Sequence, residues 1–92
     1  MARITVTRFR YSERAAAKMW RHGVAIRQLD DILANRHVIV RNRSQRAAPY
    51  VLIGRDDQGR CLTIPIVPTE DPFIWRPVTA WPCKPSEAAK LR

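Results

Sequence analysis

The chain has 92 residues, and its 46% hydrophobic and 27% charged content is typical of a globular protein rather than a disordered one. A chain of this length is expected to form a single domain, residues 1–92, without room for separate cofactor and substrate domains. Its longest apolar run, residues 50–53, is far short of the roughly 20 residues of a membrane span, and the amino terminus lacks the apolar segment of a signal peptide. We therefore expect a cytoplasmic protein with no membrane partner.

Positive charge is the strongest functional signal. Seventeen Lys and Arg against eight Asp and Glu give a net charge of +9, and eleven of the basic side chains lie in residues 1–46. Most are arginine, which grips phosphate and carboxylate groups in two places and stacks on bases. This pattern favours a polyanionic partner, either a nucleic acid or an acidic protein, over a merely solvated surface.

The first predicted elements are a strand and a helix. Polar and apolar residues alternate over residues 3–9, which predicts a short strand. Ser12 is a good N-cap for the helix that follows, and Gly23 can end that helix in a left-handed conformation. The apolar residues of this helix recur at helical spacing, and we expect Trp20 among them to lie in the core.

A second helix is predicted over residues 24–34, with Asn35 as its stop. Because the junction between the two helices is short, they should form an antiparallel hairpin.

The apolar period then changes to two, which predicts strands. They span residues 37–43, 50–55, 60–67 and 73–81, with turns at 44–46 and 56–59. Pro77 predicts an edge or a bulge in the last strand, and Pro65 raises the same question for the strand before it. Residues 86–91 can form one or two helical turns. The predicted fold is α+β: an amino-terminal strand and helical hairpin packed on a mostly antiparallel sheet of about four strands, with a short carboxy-terminal helix.

The two cysteines, Cys61 and Cys83, do not form a C-x-x-C pair. With His22 and His37 they complete no metal-ligand spacing. They allow one disulfide, but nothing else in the sequence suggests secretion. We therefore expect two small buried or half-buried thiols, no metal and no cofactor.

The order of several short motifs resembles the BrnT-like toxins and the small domains grouped with them. The motifs are Ser12-Glu13-Arg14-Ala15, His22-Gly23-Val24, Leu29 with Ile32-Leu33, Tyr50-Val51-Leu52-Ile53-Gly54, Gly59-Arg60-x-Leu62, Trp75-Arg76-x-Val78-Thr79-Ala80, and Glu87 with Leu91. The resemblance covers roughly residues 12–91. Arg14 stands where the family usually has His, and His22 stands where it usually has Arg.

The resemblance implies a RelE-like ribonuclease toxin of a type II toxin–antitoxin system. Such a toxin cleaves RNA without a metal and is neutralised by a cognate acidic antitoxin. It contacts DNA only through the toxin–antitoxin complex.

Metal-free RNA cleavage requires a group that stabilises the charged phosphorane, together with an acid and a base. We predict Arg60 and Arg76 as a phosphate clamp, with Tyr50 as a third catalytic residue, provided that adjacent strands bring them to one concave face. The predicted nucleic-acid contacts are Arg14, Arg41, Arg43, Arg46 and Trp81, the last as the most exposed tryptophan. Neither histidine is expected to be catalytic.

A second interpretation is a non-catalytic basic module that binds nucleic acid or an acidic protein. The arginine at position 14 and the lack of an evident general acid favour it, whereas the ordered resemblance favours the toxin. A structural accessory protein that shares only the fold is a weaker third interpretation.

Overall fold

Six strands and three helices make up the part of the chain that the structure describes, residues 4–43 and 48–92 of a computed structural model. The strands are β1 (Arg8–Phe9), β2 (His37–Arg41), β3 (Tyr50–Arg55), β4 (Cys61–Pro68), β5 (Ile74–Pro77) and β6 (Trp81–Pro82). The helices are α1 (Glu13–Arg21), α2 (Ile26–Ala34) and α3 (Pro85–Ala88), and a 3₁₀ turn over Ala89–Leu91 follows α3.

The strands form one mixed sheet in the order β1-β5-β4-β3-β2, and β6 also pairs with β4. Only β1 and β5 run parallel among the described pairs. The α+β class is confirmed, but the sheet has more strands than the four expected. One reason is that the strand predicted over residues 73–81 is divided into β5 and β6, because Pro77 ends the first part. Pro77 therefore marks the end of a strand rather than a bulge within it.

The amino-terminal segment and α1 follow local sequence signals. Strand β1 is shorter than predicted, although backbone hydrogen bonds from Thr7 and Arg10 to residues 73 and 75 extend its pairing with β5. The Ser12 hydroxyl accepts from the Ala15 N–H at 3.1 Å, and Gly23 has a φ of 75°, as expected.

The prediction that Trp20 lies in the core is wrong, since 73% of this residue is exposed. Ala15 and Met19 form the buried face of α1. Trp20 follows Met19 directly and is therefore turned about 100° around the helix axis, away from that face.

Helix α2 is placed by the sheet rather than by α1. Its start is capped by the Gln28 side chain, which accepts from the Ala25 N–H at 2.8 Å, and Asn35 caps its end. Leu29 and Ile32 are fully buried, and the helix contacts β1 and β3. The two helices are joined by a short turn as predicted, but they pack on the sheet instead of lengthwise against each other.

Pro65 lies in the middle of β4 without breaking the sheet. Its carbonyl accepts from the Val78 N–H at 2.9 Å, so its nitrogen faces the same side of the strand. On that side β5 pairs with β4 only at residues 66–68 and β6 only at residues 62–63. The missing N–H of Pro65 therefore points into the gap between these two strands, where no ladder partner is required.

The sheet has a helix side and a carboxy-terminal side. Leu52, Ile64 and Ile66 point toward α1 and α2 and belong to the main core. The alternate residues point the other way, toward the segment that contains α3 and the 3₁₀ turn. This segment contacts β2 and β3, and Leu91 within it is buried.

Cys61 and Cys83 form a disulfide, with Cα atoms 5.3 Å apart. The expectation of two thiols is therefore wrong. Two cysteines allow only this pair, but the sequence does not show that they meet, because the pairing of β6 with β4 is what brings them together.

The turn predicted at 44–46, including Arg46, and residue 3 of the first predicted strand lie outside the described residues. Within residues 4–43 and 48–92, no helix is long and apolar enough to cross a membrane.

Candidate nucleic-acid interface

A groove of about 580 Å³ opens on the carboxy-terminal side of the sheet, and we call it the Trp81 groove. Its floor is apolar, and its walls come from the end of β2, from β6 and from the carboxy-terminal segment. The lining residues are Val40, Arg41, Asn42, Arg43, Val51, Ile53, Pro65, Thr79, Trp81, Glu87 and Lys90. The strand register explains the floor, because Val40, Val51 and Pro65 are directly paired neighbours on one sheet face.

Trp81 is held in place on one wall of the groove. Its indole Nε1–H donates to the Glu87 carboxylate, with a shortest distance of 3.2 Å. The same carboxylate accepts from the Lys84 N–H at 2.8 Å, and Cys83 anchors the chain two residues further on. The indole is half-buried and fixed in orientation. Trp20, not Trp81, is the most exposed tryptophan among the described residues.

Among the described residues, the cations Arg43 and Lys90 line the Trp81 groove. Arg41 lines it too, at the end of β2, but its register partner is Tyr50 and strand alternation directs its side chain to the helix side. None of them forms an ion pair with another described residue. The one carboxylate in the lining, Glu87, is engaged by Trp81 and the Lys84 backbone. The groove thus combines an apolar floor, an aromatic wall and an excess of positive charge.

The hydroxyl of Thr79 is a further polar group in this lining. Its Oγ1 is buried and has no hydrogen-bond partner within the described part of the chain. Buried polar groups are usually paired, so this hydroxyl is an exception among the described residues.

A second, smaller cavity of about 230 Å³ lies between α1 and β5, and we call it the Arg76 cavity. Arg14 and Lys18 enter it from α1, and Arg76 enters it from β5. The remaining lining residues are Ser12, Ala15, Val67, Pro77 and Val78, and none of the lining residues is acidic. The structure therefore brings together two of the predicted site residues, Arg14 and Arg76, which are far apart in sequence.

Glu70 lies outside this cavity, but the charge of Arg76 acts on its carboxylate. A hydrogen bond from Arg10 is the main cause that lowers the pKa of Glu70 to about 2, and the charge of Arg76 adds to the effect. The ion pair itself joins Glu70 to Arg10 at 2.7 Å. The side chain of Arg76 makes no hydrogen bond or ion pair with another described residue.

Arg60 lies elsewhere, at the β3–β4 turn. Its Nε donates to the buried Asp56 carboxylate at 3.0 Å. Arg76 pairs in register with Val67, seven residues along β4 from Arg60, which corresponds to about 20 Å. The expected convergence of Arg60 and Arg76 on one face is therefore not found, because they lie near opposite ends of β4.

Tyr50 lies on the helix side of the sheet. Its ring packs edge-to-face on Trp75, with ring centroids 5.9 Å apart, and it contacts the main core. Since Val51 lines the floor of the Trp81 groove, the preceding residue Tyr50 points to the opposite face. Tyr50 is consequently separated from both Trp81 and Arg60.

Both histidines lie at the carboxy-terminal ends of helices. Nδ1 of His37 lies 2.9 Å from the Asn35 carbonyl and 3.2 Å from that of Ile32, so it carries the proton and donates at the end of α2. His22 is the C-cap of α1. Among the described residues, no three His, Cys, Asp or Glu side chains are grouped as metal ligands.

Sequence reasoning missed Lys18, Lys90 and Thr79 as site residues. The spacing of Arg14 and Lys18 by four places them on one face of α1, and this signal is present in the sequence. Lys90 and Thr79 carry no such signal, because only the folding of the carboxy-terminal segment over the sheet brings them to the groove.

Comparison of the chain with models of known protein families and with the sequences of curated proteins finds no match.

Proposed function

We propose that this protein is a binding module for single-stranded nucleic acid, with RNA as its expected ligand, and that the Trp81 groove is its binding site. One observation carries the proposal: Trp81, Arg41, Arg43 and Lys90 line the same groove over an apolar floor. Unpaired bases stack on aromatic side chains, while neighbouring cations contact the phosphates.

The groove favours a nucleic acid over an acidic protein as the partner. Carboxylates of an acidic peptide would use the cations but would leave the indole and the apolar floor without a matching group. A nucleotide uses both, since its base has a flat apolar face and its phosphate is anionic.

The energetic consequence is a salt-dependent affinity. Each phosphate that a cation neutralises contributes about −0.7 to the slope of log Kobs against log salt concentration for single strands. Arg43 and Lys90 therefore give an expected slope of about −1.4.

Ribonuclease activity is the second candidate function, and the resemblance to BrnT-like toxins motivates it. The specific observation in its favour is that Arg14 and Arg76 line one cavity, where two guanidinium groups can stabilise the charge of a phosphorane. In that case RNA is cleaved in the presence of a chelator, and Arg76→Ala abolishes the cleavage without unfolding the protein. RNA that stays intact at high protein concentration contradicts this second candidate.

The test of the binding proposal is fluorescence titration of the purified protein with an oligouridylate. The background is Trp20→Phe, which removes the exposed tryptophan. Stacking of a base on Trp81 should quench its emission. The affinity of variants that lack Trp81 is measured by the fluorescence anisotropy of a dye-labelled oligouridylate. By this measure Trp81→Leu should weaken binding by about tenfold or more, because stacking contributes about 1–3 kcal/mol per base.

Two controls separate stacking from folding. Trp81→Phe retains an aromatic face and should keep most of the affinity, although it loses the hydrogen bond to Glu87. Trp20→Ala removes an equally large side chain outside the groove and should leave the affinity unchanged. Equal affinities of the Trp81→Leu and Trp81→Phe proteins, both folded by circular dichroism, would sink the proposal.

A further inference from the structure

The Trp81 groove and the Arg76 cavity are neighbours on the molecule. Pro65 lines the groove and Val67 lines the cavity, and these two residues lie on the same face of β4, about 7 Å apart. On the adjacent segment, Thr79 lines the groove and the preceding Val78 lines the cavity. A short stretch of extended polynucleotide can therefore bridge the two.

The Arg76 cavity carries charge suited to a phosphate group. Its three cations come from α1 and β5, and no carboxylate lines it. Arg14, Lys18 and Arg76 form no ion pair with another described residue, so nothing in that part of the structure neutralises them at contact distance. The cavity has no aromatic lining residue, which makes it a place for phosphate rather than for a base.

We propose that a single nucleic-acid strand bound in the Trp81 groove continues into the Arg76 cavity, where Arg14, Lys18 and Arg76 bind a backbone phosphate. The inference rests on the proposed function, because the strand must first occupy the groove. It implies that the protein discriminates by length: a short oligonucleotide fills the groove alone, whereas a longer one reaches both sites.

The experiment compares oligouridylates from a dinucleotide to about ten nucleotides, a length within the range of known single-strand sites. Affinity is measured as a function of salt for the parent protein and for Arg14→Ala/Arg76→Ala. With the longer oligonucleotide, the slope of log Kobs against log salt should be about −3.5 for five cations, and the double variant should reduce its size by about 1.4. With the dinucleotide, the slope and the affinity should be the same in both proteins.

Arg27→Ala is the matched control for the loss of positive charge. Arg27 lies beside Asp31, Asp56 and Asp57 in a separate pocket near the β3–β4 turn, away from both sites. Arg27→Ala should change neither the slope of log Kobs against log salt nor the dependence of affinity on oligonucleotide length. Because Arg14 and Arg76 are exposed, their substitution is expected to leave the unfolding midpoint within the range of ordinary surface variants.

The possible outcomes distinguish this inference from the proposed function. If Trp81→Leu weakens binding but Arg14→Ala/Arg76→Ala leaves the slope for the long oligonucleotide unchanged, the groove stands and its extension into the cavity is refuted. If Arg14→Ala/Arg76→Ala loses the same affinity for the dinucleotide as for the longer strand, the extension is also refuted. If Trp81→Leu has no effect at any length, the proposed function fails, and this inference fails with it.

Discussion

Asp56 is a buried carboxylate at the start of the β3–β4 turn, with only 4% of its surface exposed. Burial alone would raise its pKa. Hydrogen bonds from the Gln28 side chain and from the backbone N–H groups of Arg60 and Gln58, together with the Arg60 charge, outweigh that effect and hold the pKa of Asp56 below its usual value. The ionised side chain thus connects α2 to the turn, and it accounts for the position of Arg60 outside the two cation-lined sites.

We predict that Asp56→Asn lowers the free energy of unfolding at pH 7 by about 1.5–3 kcal/mol, the range for hydrogen bonds to charged groups. Because the folded-state pKa of Asp56 lies below its unfolded value of about 3.9, its stabilisation is fully present above that value and is lost as the pH falls through the folded pKa. The difference between the two proteins should therefore shrink toward pH 3.

Urea denaturation of both proteins at pH 7 and pH 3 measures this difference. A difference that is independent of pH would show that the ionised form of Asp56 is not what stabilises the turn.

The exposure of Trp20 and Trp81 differs from what their positions in the sequence predict. Composition and helical spacing placed Trp20 in the core and left Trp81 exposed, whereas the structure exposes Trp20 and half-buries Trp81. Ala15 and Met19 are the buried residues of α1, and Trp20, which follows Met19, faces outward. A periodic pattern locates a helix more reliably than it assigns every member of the stripe to the core.

At the scale of elements, the contact between α2 and β3 depends on Gly54. A Cβ at this position would lie 2.6 Å from Cγ2 of Ile32 and 3.0 Å from Cβ of His37. At residue 54 the helix therefore lies too close to the sheet to leave room for a side chain. Sequence reasoning located the strand and the helix but not this requirement, because the two residues that meet are 22 positions apart.

We predict that Gly54→Ala destabilises the protein by about 1–3 kcal/mol through overpacking. The double variant Ile32→Leu/Gly54→Ala should recover part of this loss, since leucine has no branch at Cβ and removes the closest atom. Thermal or urea unfolding of the two single variants and the double variant gives the coupling energy between the two positions.

Simple additivity of Gly54→Ala and Ile32→Leu would contradict the close approach of α2 to β3. Gly59→Ala serves as a comparison, because Gly59 has a φ of 82° with open space around it. Its loss of stability should come from backbone strain and should not respond to Ile32→Leu.

At the scale of the whole molecule, the carboxy-terminal segment is attached by the Cys61–Cys83 disulfide, by β6 and by the Arg36 side chain, which donates to the Leu91 carbonyl. This segment supplies Trp81, Glu87 and Lys90 to the groove. Its attachment to the sheet is therefore a condition for the proposed site. Disulfides persist mainly in oxidising compartments and are rare in cytosolic proteins. The Cys61–Cys83 bond therefore weighs against the expected cytoplasmic location.

We predict that reduction of the disulfide lowers the free energy of unfolding by about 3 kcal/mol, as the chain-entropy relation gives for a loop of 22 residues. Affinity for a short oligouridylate should fall at the same time, because the groove loses the anchor of one wall. Urea denaturation and fluorescence titration with and without a reductant measure both effects.

The control is Cys61→Ser/Cys83→Ser, which should match the reduced protein and show no response to the reductant. A parent protein whose stability and affinity ignore the reductant would show that the disulfide does not support this segment.

The sequence by itself determined the features that depend on neighbouring residues. The Ser12 cap, the left-handed conformation of Gly23, the β3–β4 hairpin and the terminal helical turns were all predicted, because capping and turn chemistry act over a few residues. The excess of positive charge was equally evident from composition.

Only the tertiary structure decided which cations meet. Arg14 and Arg76 share a cavity and Arg43 shares a groove with Trp81, whereas Arg60 is held by Asp56 about 20 Å from Arg76. The parallel β1–β5 pair was not predicted, the disulfide was considered and set aside, and an edge or a bulge at Pro77 was expected instead of the division of β5 from β6. Strand order and register connect residues that are distant along the chain, and no local preference of those residues records which partner they will have.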